Sequence, residues 1–462
     1  MNHYKKLVSN SIILVIGNMG SKLVAFVLVP LYTHFLTATE FGFLDIILTT
    51  NQLLIPFTSL SIAEAAFRFA IDDKSQKNLT NIFSNSLFVS AIGCLLLILL
   101  FPILQVLNIF MLYIYVIVVL TVFQMLCSRF LKAIGNMTAF AINGIIMALS
   151  LAISNIILLI GFDLGVRGYL FSVIISTIIA LIHLVFAGKL YKYVSLKEIT
   201  PKIQKEMLAY SLPLIPNAFA WWINNAADRY LLFFFLGSAA TGIYAVANQM
   251  PSIIKTFSSV FSQSWQISAI EEYDSKERGE FYTTVFSAFS QGLFVLISVI
   301  IITLMVYSNF IAASFATFWR YTPFLLVGVM YSSFSAFLGT IYLAIKKTKN
   351  ILWTTLLGSV INIGINIYLI PRVGINGAAV ATMVSFLIVW VVRHYDVKKY
   401  LWYKLDSKNI IFSHIVLFLQ IAVVYLLDGV AMYFCLGLAL VAMVLANFEL
   451  VVVVKSKFLG RK

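Results

Sequence analysis

The chain has 462 residues, of which 61% are hydrophobic and only 11% are charged, and its mean hydropathy is +0.98. A soluble domain is nearer to about 45–50% apolar, so this composition excludes a soluble globular protein and indicates that a lipid bilayer surrounds most of the chain. The formal net charge of +14 does not indicate a nucleic-acid partner, because nearly all basic residues flank apolar segments, where lysine and arginine set membrane topology.

Apolar segments of about 20 residues or more recur along the chain, each long enough to cross the hydrocarbon core as a helix. The first of them, residues 11–36, follows Lys5 and Lys6 but ends without a small-residue cleavage site, so it is predicted as a helix rather than a signal peptide. The sequence predicts an all-α integral membrane protein of about fourteen transmembrane helices. They are expected near residues 11–36, 41–70, 82–106, 110–131, 140–162, 166–188, 207–236, 241–268, 281–305, 321–345, 351–370, 374–395, 408–427 and 430–454.

The basic residues divide unequally between the two sides of these helices. With the N-terminus in the cytoplasm, 25 lysines and arginines lie in the termini or inward loops, and only Arg167, Arg320 and Arg372 lie outward. This asymmetry predicts that both termini are cytoplasmic.

The helices are predicted to form two duplicated lobes. Residues 35–42 resemble residues 235–242, and residues 165–168 resemble residues 374–377. Six helices per repeat is an even number, so the two lobes share one orientation and form a parallel pseudo-two-fold repeat. The predicted lobes are residues 1–199 and 200–396, joined by a charged linker at 189–206, and residues 397–462 form the accessory helices 13 and 14.

Four cations fall inside predicted helices, where each costs roughly 2.5–3.5 kcal/mol at the bilayer centre. Lys22 and Lys255 lie near the middle of helices 1 and 8, Arg68 near the inner end of helix 2, and Arg229 near the outer end of helix 7. All four are candidate substrate-binding residues. The alternatives are snorkelling to the headgroups, above all for Arg68, and a structural ion pair for Arg229 with its neighbour Asp228.

Polar residues at helical spacing extend these charges into stripes on helices 1, 2, 7 and 8, the first two helices of each repeat. The candidates for lining a cavity or for coupling are Asn18, Asp45, Gln52, Glu64, Asn224, Asp228, Asn248 and Ser252. The stripes indicate a hydrated cavity between the lobes, although such residues also hydrogen-bond neighbouring helices together in membrane bundles.

Glu64 and Arg68 are four residues apart and are expected to pair. That pairing leaves Lys22 and Lys255 to meet a phosphate or diphosphate, which lysine binds as a point charge. Asp45, Glu64 and Asp228 are also candidates to bind a proton or a sodium ion, and the sequence does not select between these ions.

Motifs for catalysis are not found. The five histidines and three cysteines occur singly without metal-ligand spacing, and the chain has no P-loop and no nucleophile elbow. The sequence therefore predicts no cofactor, no metal and no enzymatic activity.

Several short segments resemble polysaccharide flippases of the Wzx type. They are residues 30–32 (PLY), 40–42 (EFG), 65–72 (AAFRFAID), 211–217 (SLPLIPN), 228–230 (DRY), 242–248 (GIYAVAN) and 263–265 (QSW). The resemblance implies the multidrug/oligosaccharidyl-lipid/polysaccharide exporter superfamily, with two six-helix lobes and a cavity lined by helices 1, 2, 7 and 8. It also implies that undecaprenyl-diphosphate-linked repeat units are moved outward across a bacterial cytoplasmic membrane by alternating access, for capsule, O-antigen or exopolysaccharide.

By this resemblance Lys22, Arg68, Arg229 and Lys255 contact the diphosphate or acidic sugars, and the partners are the lipid-linked oligosaccharide, membrane lipids and assembly proteins such as a polysaccharide polymerase. The nearest alternative is a cation-coupled multidrug antiporter of the same superfamily, which would need unpaired carboxylates in its cavity. A membrane polysaccharide polymerase is the alternative from another class, and it would usually have a long outward loop that this chain lacks.

Overall fold

The computed structural model describes residue 24 and residues 26–105, 110–271, 273, 276–345 and 347–447. Over these ranges the regular structure is helical and contains no strand, which confirms the all-α prediction. In chain order, α1 to α16 are Phe26–Phe35, Ala38–Thr58, Ile62–Asp72, Gln76–Gln105, Met111–Ala133, Met137–Asn155, Gly165–Ala187, Pro201–Ser211, Leu214–Ala247, Gln249–Glu271, Arg278–Ser308, Thr322–Ala344, Thr348–Val373, Ile375–Val397, Ser407–Leu426 and Gly429–Ala446.

Twelve of the described segments are long and apolar enough to cross a bilayer, which identifies a multi-pass membrane protein. The predicted number of fourteen is not confirmed. The described part of the first helix is short, and α10 is not among the twelve because its polar residues lower its mean hydropathy.

The second predicted helix, residues 41–70, is wrong as a single element and is divided into α2 and α3. Pro56 lies in the last turn of α2, and Leu60 and Ser61 after it adopt φ angles of 51° and 52°. Proline cannot donate its backbone nitrogen and crowds the preceding turn, so the helix ends here. Gly93 of α4 passes so close to this turn that a Cβ atom on it would lie 1.8 Å from the Thr58 carbonyl oxygen.

The core of the first unit is built around α3. Ala65, Ala66 and Ala70 are completely buried, and small side chains let neighbouring helices approach closely in a membrane. Phe83 of α4 and Phe130 of α5 fill the space beside them, with ring centroids 4.6 Å apart. This packing holds α3 against α4 and α5.

The predicted linker at residues 189–206 is fastened to α4. Asn85 donates to the Glu198 carbonyl at 2.9 Å and accepts from the Thr200 backbone N–H at 2.9 Å. The following helix, α8, packs on α3 and α4. The chain divides into two compact units, Met1–Tyr230 and Leu231–Lys462. The duplicated lobes that end at residues 199 and 396 remain a prediction.

The boundaries of the seventh and eighth predicted helices also differ from the structure. The segment α9 runs from Leu214 to Ala247 but is interrupted at Gly237, whose φ of 81° requires glycine. The predicted break between residues 236 and 241 is therefore confirmed, whereas the outer boundaries of the two helices differ. Asn248 forms a turn, and the next helix begins only at Gln249, two residues before Pro251.

The second unit packs around α12, most of which is buried. Phe337 stacks on Trp265 with ring centroids 4.4 Å apart, and Phe334 packs against Phe286 with ring centroids 5.4 Å apart. Arg393 of α14 is a charged exception in this apolar core, because only 6% of the residue is exposed.

Hydrogen bonds compensate the burial of this guanidinium. Arg393 donates to the Ser335 carbonyl at 2.7 Å, to Thr354 Oγ1 at 2.9 Å, to Thr355 Oγ1 at 3.0 Å and to the Ile351 carbonyl at 3.4 Å. We call these residues the Arg393 cluster. They join α12, α13 and α14.

Candidate functional site

The acidic side of the candidate site is Asp45 on α2. A reciprocal capping box between Thr37 and Glu40 fixes the start of this helix, with the Thr37 N–H donating to Glu40 at 2.9 Å. Asp45 lies two turns further, and its side chain is 17% exposed within a candidate membrane span. A carboxylate at that position is costly unless it is paired.

Arg229 of α9 supplies the pairing charge. Its Nε lies 3.0 Å from a carboxylate oxygen of Asp45, and its Nη1 donates to Thr49 Oγ1 at 3.4 Å. The Arg229 side chain is 23% exposed. Either charge alone would be costly to bury in a membrane span. The pair is neutral and leaves the guanidinium partly accessible.

Hydroxyl and aromatic groups surround this ion pair. The Tyr230 hydroxyl lies 2.6 Å from Thr50 Oγ1, and the Trp222 indole N–H donates to the Thr49 carbonyl at 2.9 Å. The Trp222 and Tyr230 rings meet edge to face, with centroids 5.2 Å apart. We call Asp45, Thr49, Thr50, Trp222, Arg229 and Tyr230 the Arg229 site.

The Arg229 guanidinium already binds the Asp45 carboxylate, and a guanidinium is a group that can recognise anions. Arginine presents a planar fork of donors that fits carboxylate and phosphate oxygens equally well. The Asp45 carboxylate is therefore an internal occupant that an incoming phosphate group could replace without leaving Arg229 unpaired.

The predicted pairing of Glu64 with Arg68 is wrong. Arg68 forms an ion pair with Asp72, and Glu64 pairs with Arg129 of α5, whose Nη2 is 2.7 Å from the carboxylate. Helical spacing permitted the first pair, but the break before α3 places Glu64 in the first turn of α3, against α5. Arg68 is exposed in the structure and lies outside the Arg229 site.

The other predicted residues are placed separately. Gln52 is exposed, and Asp228 is buried beside Arg229 in the sequence. In the second unit, Asn248 donates to the Tyr244 carbonyl, Ser252 donates to the Gln249 carbonyl, and Lys255 is exposed on α10. The predictions that fall outside the described residues or side chains concern Asn18, Lys22 and the side chain of Asn224.

Sequence reasoning missed Thr50, Trp222 and Tyr230 as members of the site. Trp222 lies seven residues before Arg229, two helical turns away, so its spacing could have placed it on the same face. Tyr230 follows Arg229 directly, and no spacing rule selects it. Arg393 was also missed as a charge within a helix. It lies so near the end of the predicted helix 374–395 that it is grouped with the basic residues of the inward loops.

Comparison with known proteins gives the family. Residues 7–266, more than half of the chain, match the family described as "Polysaccharide biosynthesis protein". The chain belongs to this family. It is also 26% identical over 257 residues to an uncharacterized membrane protein of Methanocaldococcus jannaschii, a match that covers 52% of this chain and only about half, 50%, of that relative's own length.

Two solved structures show the same fold. The lipid II flippase MurJ, in an inward closed conformation, aligns with a TM-score of 0.71 at 15% identity and covers 96% of this chain and 99% of its own. An inward-facing multidrug resistance MATE family transporter of the MOP superfamily aligns with a TM-score of 0.62 at 15% identity, covering 83% and 94%.

The family connects the chain with polysaccharide biosynthesis, and its fold is the one that a lipid II flippase and a MATE family transporter also have.

Proposed function

We propose that this protein is a flippase that moves polyprenyl-diphosphate-linked oligosaccharide repeat units across a bacterial cytoplasmic membrane, by alternating access and for surface polysaccharide. In this proposal both termini lie in the cytoplasm, and polymerases and other assembly proteins receive the product. The observation that carries it is the Arg229 site, an arginine in a membrane span that is held by one carboxylate and partly exposed.

An anionic headgroup explains why an arginine is placed there. A diphosphate offers several oxygens to a guanidinium, and a site with low water content strengthens such charge-assisted hydrogen bonds. We propose that the diphosphate displaces the Asp45 carboxylate from Arg229 during binding and that the carboxylate returns after release. The ion pair then keeps the empty carrier neutral, so that neither charge is left without a partner in the membrane.

The test is complementation in a strain from which the gene has been deleted. Wild type and Arg229→Gln are expressed at matched membrane abundance, and surface glycan and the lipid-linked precursor are measured. We expect Arg229→Gln to reduce surface glycan at least tenfold and to leave precursor on the cytoplasmic side. Lys22→Ala and Lys255→Ala, tested alongside, are expected to reduce export as well.

The matched control is Arg372→Gln, which removes the same charge from an exposed position where Arg372 donates to the Tyr368 carbonyl. Near-normal surface glycan is expected for this variant. Normal export by Arg229→Gln would remove Arg229 from the substrate path, and normal surface glycan in the deletion strain would overturn the flippase proposal itself.

A second candidate is a cation-coupled multidrug antiporter, favoured by the Asp45 carboxylate within a membrane span and by the MATE fold. An antiporter needs a carboxylate that can attract a cation, and here Arg229 neutralises Asp45. If deletion raises sensitivity to cationic drugs while surface glycan is unchanged, the antiporter is correct.

A further inference from the structure

A second polar site lies in the second unit, where α11 and α15 begin. A cavity of about 630 Å³ is bounded by the first turns of α11 and by residues 404–408. The backbone N–H of Lys404 donates to Thr283 Oγ1 at 2.9 Å, which fastens the segment before α15 to the second turn of α11. The cavity is thus formed by two helix starts that are tied to each other.

The lining combines two cations with a polar helix face. Lys404 and Lys408 line one side, and Thr284, Ser287 and Gln291 line the other. These three residues of α11 share one face, because they lie at positions i, i+3 and i+7. Gln291 is 4% exposed and donates to Ser287 Oγ at 3.2 Å, so the polar face extends two turns into the helix.

The acidic residues near the cavity do not cancel its charge. Asp406 belongs to the lining, but its carboxylate accepts from the Asn409 backbone N–H at 3.2 Å and so caps α15. Glu280 lies one turn before Thr284 on α11 and is exposed. The lining itself therefore carries two positive charges and one negative charge.

The position of the cavity along α11 and α15 indicates which part of a membrane it contacts. Both α11 and α15 are candidate spans, so the place where they begin is the boundary between water and hydrocarbon, where phospholipid headgroups lie. One turn along α15, Ile411 and Phe412 are 60% and 45% exposed. A phospholipid whose phosphate lies in the cavity would find apolar helix surface next to its acyl chains.

We propose that this cavity binds the headgroup of an anionic phospholipid, on the predicted cytoplasmic side. Lys404 and Lys408 attract the phosphate as point charges, and basic pockets between transmembrane helices bind anionic headgroups in this way. The Thr284 and Ser287 hydroxyls and the Gln291 amide provide hydrogen bonds to glycerol and ester oxygens. The polar face of α11 is then satisfied where it enters the lipid.

The experiment uses the full-length protein in nanodiscs of phosphatidylcholine that contain a minor fraction of phosphatidylglycerol. The phosphatidylglycerol retained by each variant after detergent extraction is counted by native mass spectrometry at physiological salt. The variants are Lys404→Gln/Lys408→Gln, Thr284→Val, and the control Lys74→Gln/Lys77→Gln. The control removes two exposed lysines outside the cavity, Lys74 just before α4 and Lys77 in its first turn.

We expect the Lys404→Gln/Lys408→Gln variant to retain at least tenfold less phosphatidylglycerol than wild type. Thr284→Val keeps every charge and is expected to reduce retention about threefold. The control is expected to change it less than twofold. Equal losses in both lysine double variants would mean general attraction to an anionic surface and would overturn the proposal, as would unchanged retention in the cavity variants.

A soluble phosphate compound could supply the same phosphate group as a phospholipid. Glycerol 3-phosphate at millimolar concentration is added as a competitor, and we expect it to leave lipid retention unchanged, because a soluble ligand lacks the acyl chains. Complete competition would assign the cavity to a soluble phosphate compound instead. The result is independent of the flippase proposal, because glycan export is not measured here.

Discussion

Arg229 and Arg393 both lie within membrane-spanning helices of this protein, and their surroundings differ. Arg229 in the first unit has one carboxylate partner and a side chain that is 23% exposed. Arg393 in the second unit is a 6% exposed residue, and its guanidinium donates only to carbonyl and hydroxyl oxygens. We propose that a ligand replaces the one partner of Arg229, whereas Arg393 is enclosed by acceptors from two neighbouring helices, α12 and α13.

The difference separates a binding role from a structural one. If a phosphate replaces the Asp45 carboxylate, Arg229 stays paired and Asp45 is the one group that loses its partner. Moving Arg393 would leave several buried acceptors without donors, each costing roughly 1–3 kcal/mol. On this ground Arg229 is the candidate for binding, and Arg393 is expected to have a structural role.

The largest effect on stability is expected for Arg393→Gln. Glutamine cannot reach all four acceptors of the Arg393 cluster, so the free energy of unfolding should fall by about 4 kcal/mol. Thermal unfolding in detergent, followed by size-exclusion chromatography, measures this loss, and export per folded molecule should be unchanged. Arg372→Gln at an exposed helix end should cost no more than about 0.5 kcal/mol. If Arg393→Gln is stable yet inactive, Arg393 contacts substrate and the distinction between the two arginines fails.

A double-mutant cycle on Asp45 and Arg229 is expected to have the next largest effect. Arg229→Gln should destabilise the protein by about 3 kcal/mol, because Asp45 is left in a membrane span without its partner. The Asp45→Asn/Arg229→Gln variant should recover about 2 kcal/mol of that loss in the same thermal assay.

Export separates the two roles of the pair. Because the double variant still lacks the guanidinium, we expect it to be stable and to export less than a tenth of the wild-type amount. Recovery of export together with stability would show that the pair is only structural.

A smaller effect is expected for the hydrogen bond between Thr50 and Tyr230. Thr50→Val and Tyr230→Phe each remove one partner and should lower the free energy of unfolding by about 1 kcal/mol. Thr50→Val also removes the hydrogen bond that Thr50 Oγ1 donates to the Ile46 carbonyl at 2.7 Å, so the double variant should cost little more than Thr50→Val alone. Additive costs would mean that Tyr230 has a partner other than Thr50. Export should fall no more than about twofold if this bond only orients α9 beside Arg229.

The helical fold was predictable because bilayer thickness dictates the length and hydropathy of each span. Asp45 and Arg229 were found for a related reason, since a charge in a membrane span is costly and stands out in the sequence. Their pairing was not predicted, because it depends on how α2 packs against α9. The break at Leu60 and Ser61 was missed for the same reason: periodicity continues across it, and only the close approach of Gly93 to Thr58 shows that the helix must turn.

The smallest expected effect concerns the ion-pair partner of Glu64. It tests whether spacing along one helix or packing between two helices decides which residues pair. Spacing along one helix joins Glu64 to Arg68, whereas the structure joins Glu64 to Arg129 and Arg68 to Asp72. These side chains are about a third exposed or more, so each pair should contribute only about 0.5 kcal/mol. A double-mutant cycle with Glu64→Gln and Arg129→Gln should give a coupling energy of that size, and the cycle with Glu64→Gln and Arg68→Gln should give none. A measurable coupling only in the second cycle would mean that Glu64 pairs with Arg68 along α3 and not with Arg129 of α5.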